Sequence, residues 1–198
     1  DSEGGLTLSG YDADSYGFVI GADTSVAENV RAGFAFSYAD IDVEETSGAL
    51  EDTSIDSYSL NAYAAYENEN TFVNGALSYV FGNADSSRQA IVDTVSSDFD
   101  VDQFSAKVTA GYKTELGGVE VSPFASLQYA NISQDDFTEI GGLNLTVDAD
   151  SVTIFETGIG AKFALPIEKD GYKLVPQVSL GWDDDLADET RQLSASFA

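Results

Sequence analysis

Thirty-five carboxylates stand against eight basic side chains, and the 198 residues contain neither histidine nor cysteine. Without imidazole the commonest general base and metal ligand is missing, and without thiols there are no disulfides, thiolate metal sites or cysteine nucleophiles. What remains is carboxylate chemistry. Asp98-Asp100-Asp102, Asp135-Asp136 and Asp183 to Asp185 are clusters of hard oxygen ligands, the type that attracts divalent cations. None has the spacing and turn glycine of an EF-hand loop, so these runs read as solvated acidic loops at which divalent cations are candidate partners. Phosphate-cradling glycine loops and nucleophile elbows do not occur. The expectation is a protein that is not an enzyme, with no metal centre and no cofactor.

A net charge of −27 and a pI near 4.1 oppose a phosphate backbone and argue against a nucleic-acid partner. Hydrophobic content of 43%, with ten Tyr and twelve Phe, is too rich for a disordered acidic tail. The charge must therefore be segregated from ordered apolar surface. No run of eighteen apolar residues makes a membrane helix. The absence of methionine suggests a processed or excised piece of a longer chain.

The elements that position these side chains show a period of two. After a polar lead-in over residues 1–10, a run sets Tyr16, Phe18, Ile20 and Ala22 on one face against Gly17, Val19, Gly21 and Asp23 on the other. The next run places Val30, Ala32, Phe34, Phe36 and Tyr38 opposite Arg31, Gly33, Ala35, Ser37 and Ala39. The pattern repeats to Trp182, with tight turns at one end (Asn68 to Asn70, Gly117-Gly118) and wide acidic loops at the other (Asp42 to Asp56, Asn83 to Val101, Asn131 to Asp150). Runs of about a dozen residues exceed the five or six usual in soluble sheets and match a tilted strand crossing a bilayer. The expected fold is all-β: an antiparallel up-and-down transmembrane β-barrel of the outer-membrane type, with about eight full strands and part of a ninth in Thr190 to Ala198.

Aromatic placement agrees, since amphipathic rings favour the boundary between lipid and water. Tyr38, Tyr58, Tyr79, Tyr129 and Trp182 fall on the apolar face beside the wide loops, and Tyr66 and Tyr112 fall at the tight-turn ends. The opposite face would line a wet lumen. By parity it collects Arg31, Lys107, Lys113, Lys162 and Lys173 with Glu120 and Glu156, of which Arg31, Lys107, Glu156 and Lys162 are the candidate lumen contacts. Such charges either hold a polypeptide in the lumen or pair with one another to stabilise the barrel.

The segment Gly10-Tyr11-Asp12-Ala13-Asp14-Ser15-Tyr16-Gly17-Phe18, then Ile20-Gly21-Ala22-Asp23 and Val30-Arg31-Ala32-Gly33-Phe34, resembles the opening of an autotransporter β-domain, the translocator of type V secretion. Ser122 to Tyr129 and Glu156 to Lys162 resemble later parts of that family, so the likeness covers residues 11–198. The resemblance implies a twelve-stranded barrel in the outer membrane of a Gram-negative bacterium, exposed at the cell surface. Its partners would be outer-membrane lipid and an N-terminal passenger, whose helical linker occupies the lumen. The family's linker helix is not seen before the first strand, and the last strands with their C-terminal aromatic are not seen after the eighth. Two other functions fit the same strand pattern: a porin-like channel, and a structural or adhesive surface barrel acting through its acidic loops.

Overall fold

The computed structural model describes residues 10–45, 51–89, 93–142, 144–169 and 171–187, and the backbone of 193–197. Its strands are β1 (Tyr11–Ala27), β2 (Val30–Glu45), β3 (Glu51–Glu67), β4 (Thr71–Gln89), β5 (Thr94–Tyr112), β6 (Thr114–Leu116), β7 (Val119–Gln134), β8 (Phe137–Thr138), β9 (Leu145–Ala149), β10 (Val152–Ala164), β11 (Ile167–Lys169), β12 (Tyr172–Leu174), β13 (Gln177–Asp185) and β14 (Leu193–Phe197). Every pairing is antiparallel. The main sheet runs β1-β2-β3-β4-β5-β7-β10-β13, with β6 added beside β7. Among the described residues β1 pairs only with β2 and β13 only with β10, so both edges of this sheet are open.

Local chemistry sets the tight turns. Asn29 takes a positive φ of 63° between β1 and β2, and Gly117 and Gly118, at 62° and 84°, supply the left-handed pair a two-residue hairpin requires. The Asn68 side-chain oxygen accepts the backbone N–H of Asn70 and of Thr71, closing the β3–β4 turn. Pro166 and Pro176 lack the N–H a ladder needs, and they flank the separate β11–β12 hairpin. The expected eighth strand, drawn from Leu174, therefore begins at Gln177.

Two expectations change. The wide acidic loops are largely ladder: β2 and β3 stay paired to Glu44 and Asp52, and β4 and β5 to Gln89 and Thr94. In the third, Phe137 pairs with Val147 and Thr138 with Thr146 in the register that aligns Ile132 with Val152, so β8 and β9 prolong β7 and β10. Acidic composition suggested loop, whereas the period of two continues through these residues. The second change concerns the opening of a ninth strand. Of Thr190 to Ala198, residues 190–192 and 198 lie outside the described residues, and Leu193–Phe197 pair with β9 in a register one residue removed from the β10–β13 ladder. β14 therefore runs in the direction of β13 instead of turning back beside it.

Candidate functional site

Burial alternates along the strands in the opposite sense to hydrophobicity. Phe34, Leu77, Val108 and Leu180 are 74%, 52%, 41% and 65% exposed, whereas Ser59 and Ser126 on the other face are each only 9% exposed. No second sheet or helix covers the apolar side among the described residues. In water this arrangement would forfeit the main driving force for folding, about 25 cal/mol for each Å² of apolar surface left wet. It is stable where the surrounding solvent is itself hydrocarbon and every backbone polar group is tied into the ladder.

The boundaries of the apolar face can be read strand by strand. Tyr38, Tyr58, Phe81, Phe104, Tyr129 and Phe155 are the aromatic residues at the acidic end of β2, β3, β4, β5, β7 and β10. Neighbouring rings touch, with centroids 5.1 Å apart for Tyr38–Tyr58, 5.7 Å for Tyr58–Phe81 and 6.4 Å for Phe104–Tyr129. Two residues beyond each ring, still on the outward face, stand Asp40, Asp56, Asn83, Asp102, Asn131 and Thr153. Tyr38 and Tyr79 donate their hydroxyls to Asp56 and Asp102 at 2.6 Å and 2.8 Å, so the polar tip of each ring meets the acidic row.

In the other direction a second aromatic set follows eight residues along the chain, with Tyr66 after Tyr58, Tyr112 after Phe104 and Phe163 after Phe155. Eight residues of strand span about 26 Å. Between β3 and β10 both sets drift across the ladder at one residue per strand, a slope that tilts the strands by about 35°. The tilt reduces the band to about 21 Å, close to the lipid-facing height of outer-membrane barrels.

The remaining face carries the charged candidates. Arg31 pairs with Asp23 at 2.9 Å, and Tyr63 donates its hydroxyl to the same carboxylate at 3.4 Å. Lys107 and Glu156 share one register row on either side of Gln128. Lys162 lies toward the tight turns in a concavity of 420 Å³ with Glu120, Lys113 and Glu67, the last two ion-paired. Of the four predicted contacts only Lys107 and Glu156 therefore share a row, and they stand two strands apart with Gln128 between them. Parity had shown the face, but not the partners Asp23, Tyr63 and Glu67. Tyr66, Tyr112, Tyr129 and Trp182 lie on the apolar face with Tyr38, Tyr58 and Tyr79. Rings on the inner face occupy the space that glycines leave: a Cβ on Gly33 would come within 2.6 Å of the Tyr63 ring, and one on Gly160 within 2.5 Å of Phe124. Among the described residues no group of three or more acidic side chains is arranged to hold a metal ion.

Above the acidic row the outward face stays acidic, and the inner face mixes apolar side chains with the hydrogen-bonded Thr53 and Ser86. Ala84 and Val95, on the side that is polar lower down, are 1% and 0% exposed, and the Phe99 and Phe137 rings stack at 4.7 Å. Arg88 reaches over β5 to Glu139 with two hydrogen bonds of 2.6 Å. The guanidinium, helped by the Leu145 backbone N–H, holds the Glu139 carboxyl below the usual carboxylate range.

Comparison with known proteins gives this inside-out sheet a lineage. The autotransporter β-domain family matches residues 1–198. The chain belongs to the autotransporter β-domain family. Outer membrane protein A of Rickettsia conorii is 25% identical over 187 residues, covering 87% of this chain and 9% of that protein. The translocator domain of the autotransporter NalP from Neisseria meningitidis has the same fold, with a TM-score of 0.77 at 16% identity over 91% of this chain and 64% of that one. The β-domain of the Bordetella autotransporter BrkA superposes with a TM-score of 0.69 at 21% identity, covering 94% and 74%. This autotransporter β-domain thus spans about a tenth of the length of the curated relatives it matches first, and just under two thirds of the NalP chain. Its place is the outer membrane of a Gram-negative bacterium.

Proposed function

We propose that the sheet is the greater part of the wall of a closed transmembrane barrel that anchors, and exports or displays, an N-terminal passenger. The observation that carries this reading is the exposed apolar band between two aromatic levels, backed by a face rich in serine, glycine and charge. The two open edges support closure by further strands of the same polypeptide, since an unpaired edge in lipid leaves N–H and C=O groups without partners. In this reading the aromatics at both ends of the band sit at the lipid–water boundary, and lipid is the partner of the outward face.

The lumen role of Arg31, Lys107, Glu156 and Lys162 is part of the same proposal. They stand on the inner face at different heights, as contacts to a polypeptide threaded through the lumen would. The domain's contribution is physical and involves no covalent chemistry of its own: the band fixes the wall in the membrane and the wet lumen gives the passenger's linker a polar path. The test reverses the four charges (Arg31→Glu, Lys107→Glu, Glu156→Lys, Lys162→Glu) in the full protein and measures surface passenger by protease accessibility. A severalfold loss of display with unchanged barrel insertion is expected; undiminished display removes these residues from the path.

A further inference from the structure

Three residues beyond each of the six upper aromatics, on the inner face, the side chain is aliphatic: Ile41, Ile55, Ala84, Val101, Ile132 and Val152. Four residues further in along the strands, one residue inside the aromatic level, the inner face is polar on five of the six, with Ser37, Ser59, Ser105, Gln128 and Glu156, and carries Val80 on β4; the row between, Ala39, Ser57, Gly82, Gln103, Ala130 and Ile154, is mixed. Because the aromatics define a plane across tilted strands, a constant offset of three places the aliphatic residues at one height. They form an apolar band on the inner wall at the outer mouth across six consecutive strands of the sheet, bordered on β1 by Ser15, the register partner of Ile41. Membrane contact cannot explain them, since they face away from lipid and lie above it. A purely polar lumen would continue the serine and glutamine pattern upward, and instead it gives way to an aliphatic residue on the five strands that carry it.

The geometry points to a hydrophobic seal: this ring closes the outer end of the lumen to water and ions by dewetting. A constriction lined with aliphatic groups offers water no hydrogen-bond partners, so the column breaks there while a polypeptide whose side chains displace the water can still occupy it. The seal rests on the closed-barrel reading above, because an open sheet has no mouth. Two features hold the ring in shape. The paired ladders of β2–β3 and β4–β5 extend beyond it, and the Arg88–Glu139 bridge with the Phe99–Phe137 stack ties β4, β5 and the prolongation of β7 together above it.

This chain contains no cysteine, so once any cysteine elsewhere in the protein is replaced by serine the test is direct. In the full protein in outer-membrane vesicles, a single cysteine at Ser105, four residues inward of Val101 on β5, is titrated from outside with a charged, membrane-impermeant maleimide. The same measurement is made with Ile41, Ile55, Val101 and Ile132 all changed to Ser. Labelling at least about tenfold faster in the polar variant is the expected result. Equal rates in the two backgrounds overturn the seal. A cysteine at Leu77 on the outward face separates this from failure of the barrel itself: its ready labelling by the same reagent would sink the closed barrel, whereas protection there with equal rates at Ser105 sinks only the seal. If the fourfold variant does not insert, Ile55→Ser and Val101→Ser singly carry the same comparison, and acceleration in neither overturns the proposal.

Discussion

Tyr38 on β2 donates its phenolic proton to Asp56 on β3 at 2.6 Å, joining the last aromatic residue of the apolar band to the first row of carboxylates above it. The bond crosses the line at which the outward face changes from lipid-like to water-like, and the ring also packs against Tyr58 and Phe18 at 5.1 Å and 6.0 Å. Tyr38→Phe removes the hydrogen bond from an exposed carboxylate and should lower barrel stability by no more than about 1 kcal/mol. Tyr38→Ala also removes the ring and should cost about 2–3 kcal/mol. Urea unfolding of the complete barrel in lipid vesicles, followed by tryptophan fluorescence, distinguishes the two. Equal losses would mean that the ring contributes nothing at this level.

A charge placed on the band should report its height. Leu77 lies on the outward face four residues from Phe81, near the middle of the band, while Asp98 is on the outward face above the acidic row. Leu77→Arg should destabilise the inserted barrel by about 2–4 kcal/mol, the range for a cation at the bilayer midplane. Asp98→Arg should be neutral or slightly favourable, because it relieves repulsion from Asp85 directly opposite. A comparable penalty at both positions would contradict the placement of the boundary.

The Arg88–Glu139 bridge should behave as a buried pair, since Glu139 is 7% exposed. Glu139→Gln leaves the guanidinium short of its partner and should cost about 2–3 kcal/mol locally, less than a fully enclosed pair because part of the Arg88 side chain reaches solvent. The joint replacement Arg88→Met with Glu139→Leu should recover most of that loss. Hydrogen exchange at Ser96 and Ile140, whose backbones bond each other at 3.1 Å and 2.8 Å, is the local readout.

The same pair sets an acid response. Glu139 titrates below its unfolded value, so its stabilisation is complete above the ordinary glutamate range near 4.3 and is lost as pH falls through the lowered folded value. Exchange protection at Ser96 and Ile140 should therefore be flat from neutral pH down to that range and decline progressively from there toward the lowered folded value. Glu139→Gln should abolish the dependence. Loss of protection already between pH 7 and 5 would assign it to another group.

Much of the architecture is legible in residue order because two constraints act on each strand at once. Hydrocarbon on one side and water on the other force a strict alternation, and from Val30 to Tyr38 the sequence shows it without interruption. The stretch from Asp40 to Glu44 misled for a physical reason. Above the boundary the outside is water, so acidic residues face outward, Ile41 and Val43 face inward, and a strand of inverted polarity resembles a charged loop. Partners such as Glu139 for Arg88, 51 positions away, become visible only once the ladders fix which residues share a row. Leu193–Phe197 misled in another way: five residues with a strand-like pattern do not say which edge they join.

The ladders that carry β4 and β5 to Gln89 and Thr94 leave no hinge between the embedded wall and what stands above it. A push applied to such a tip, by an antibody, a phage fibre or a neighbouring cell, is transmitted down two hydrogen-bonded rails into the membrane portion. Whatever grips this protein from outside has a lever on its interior.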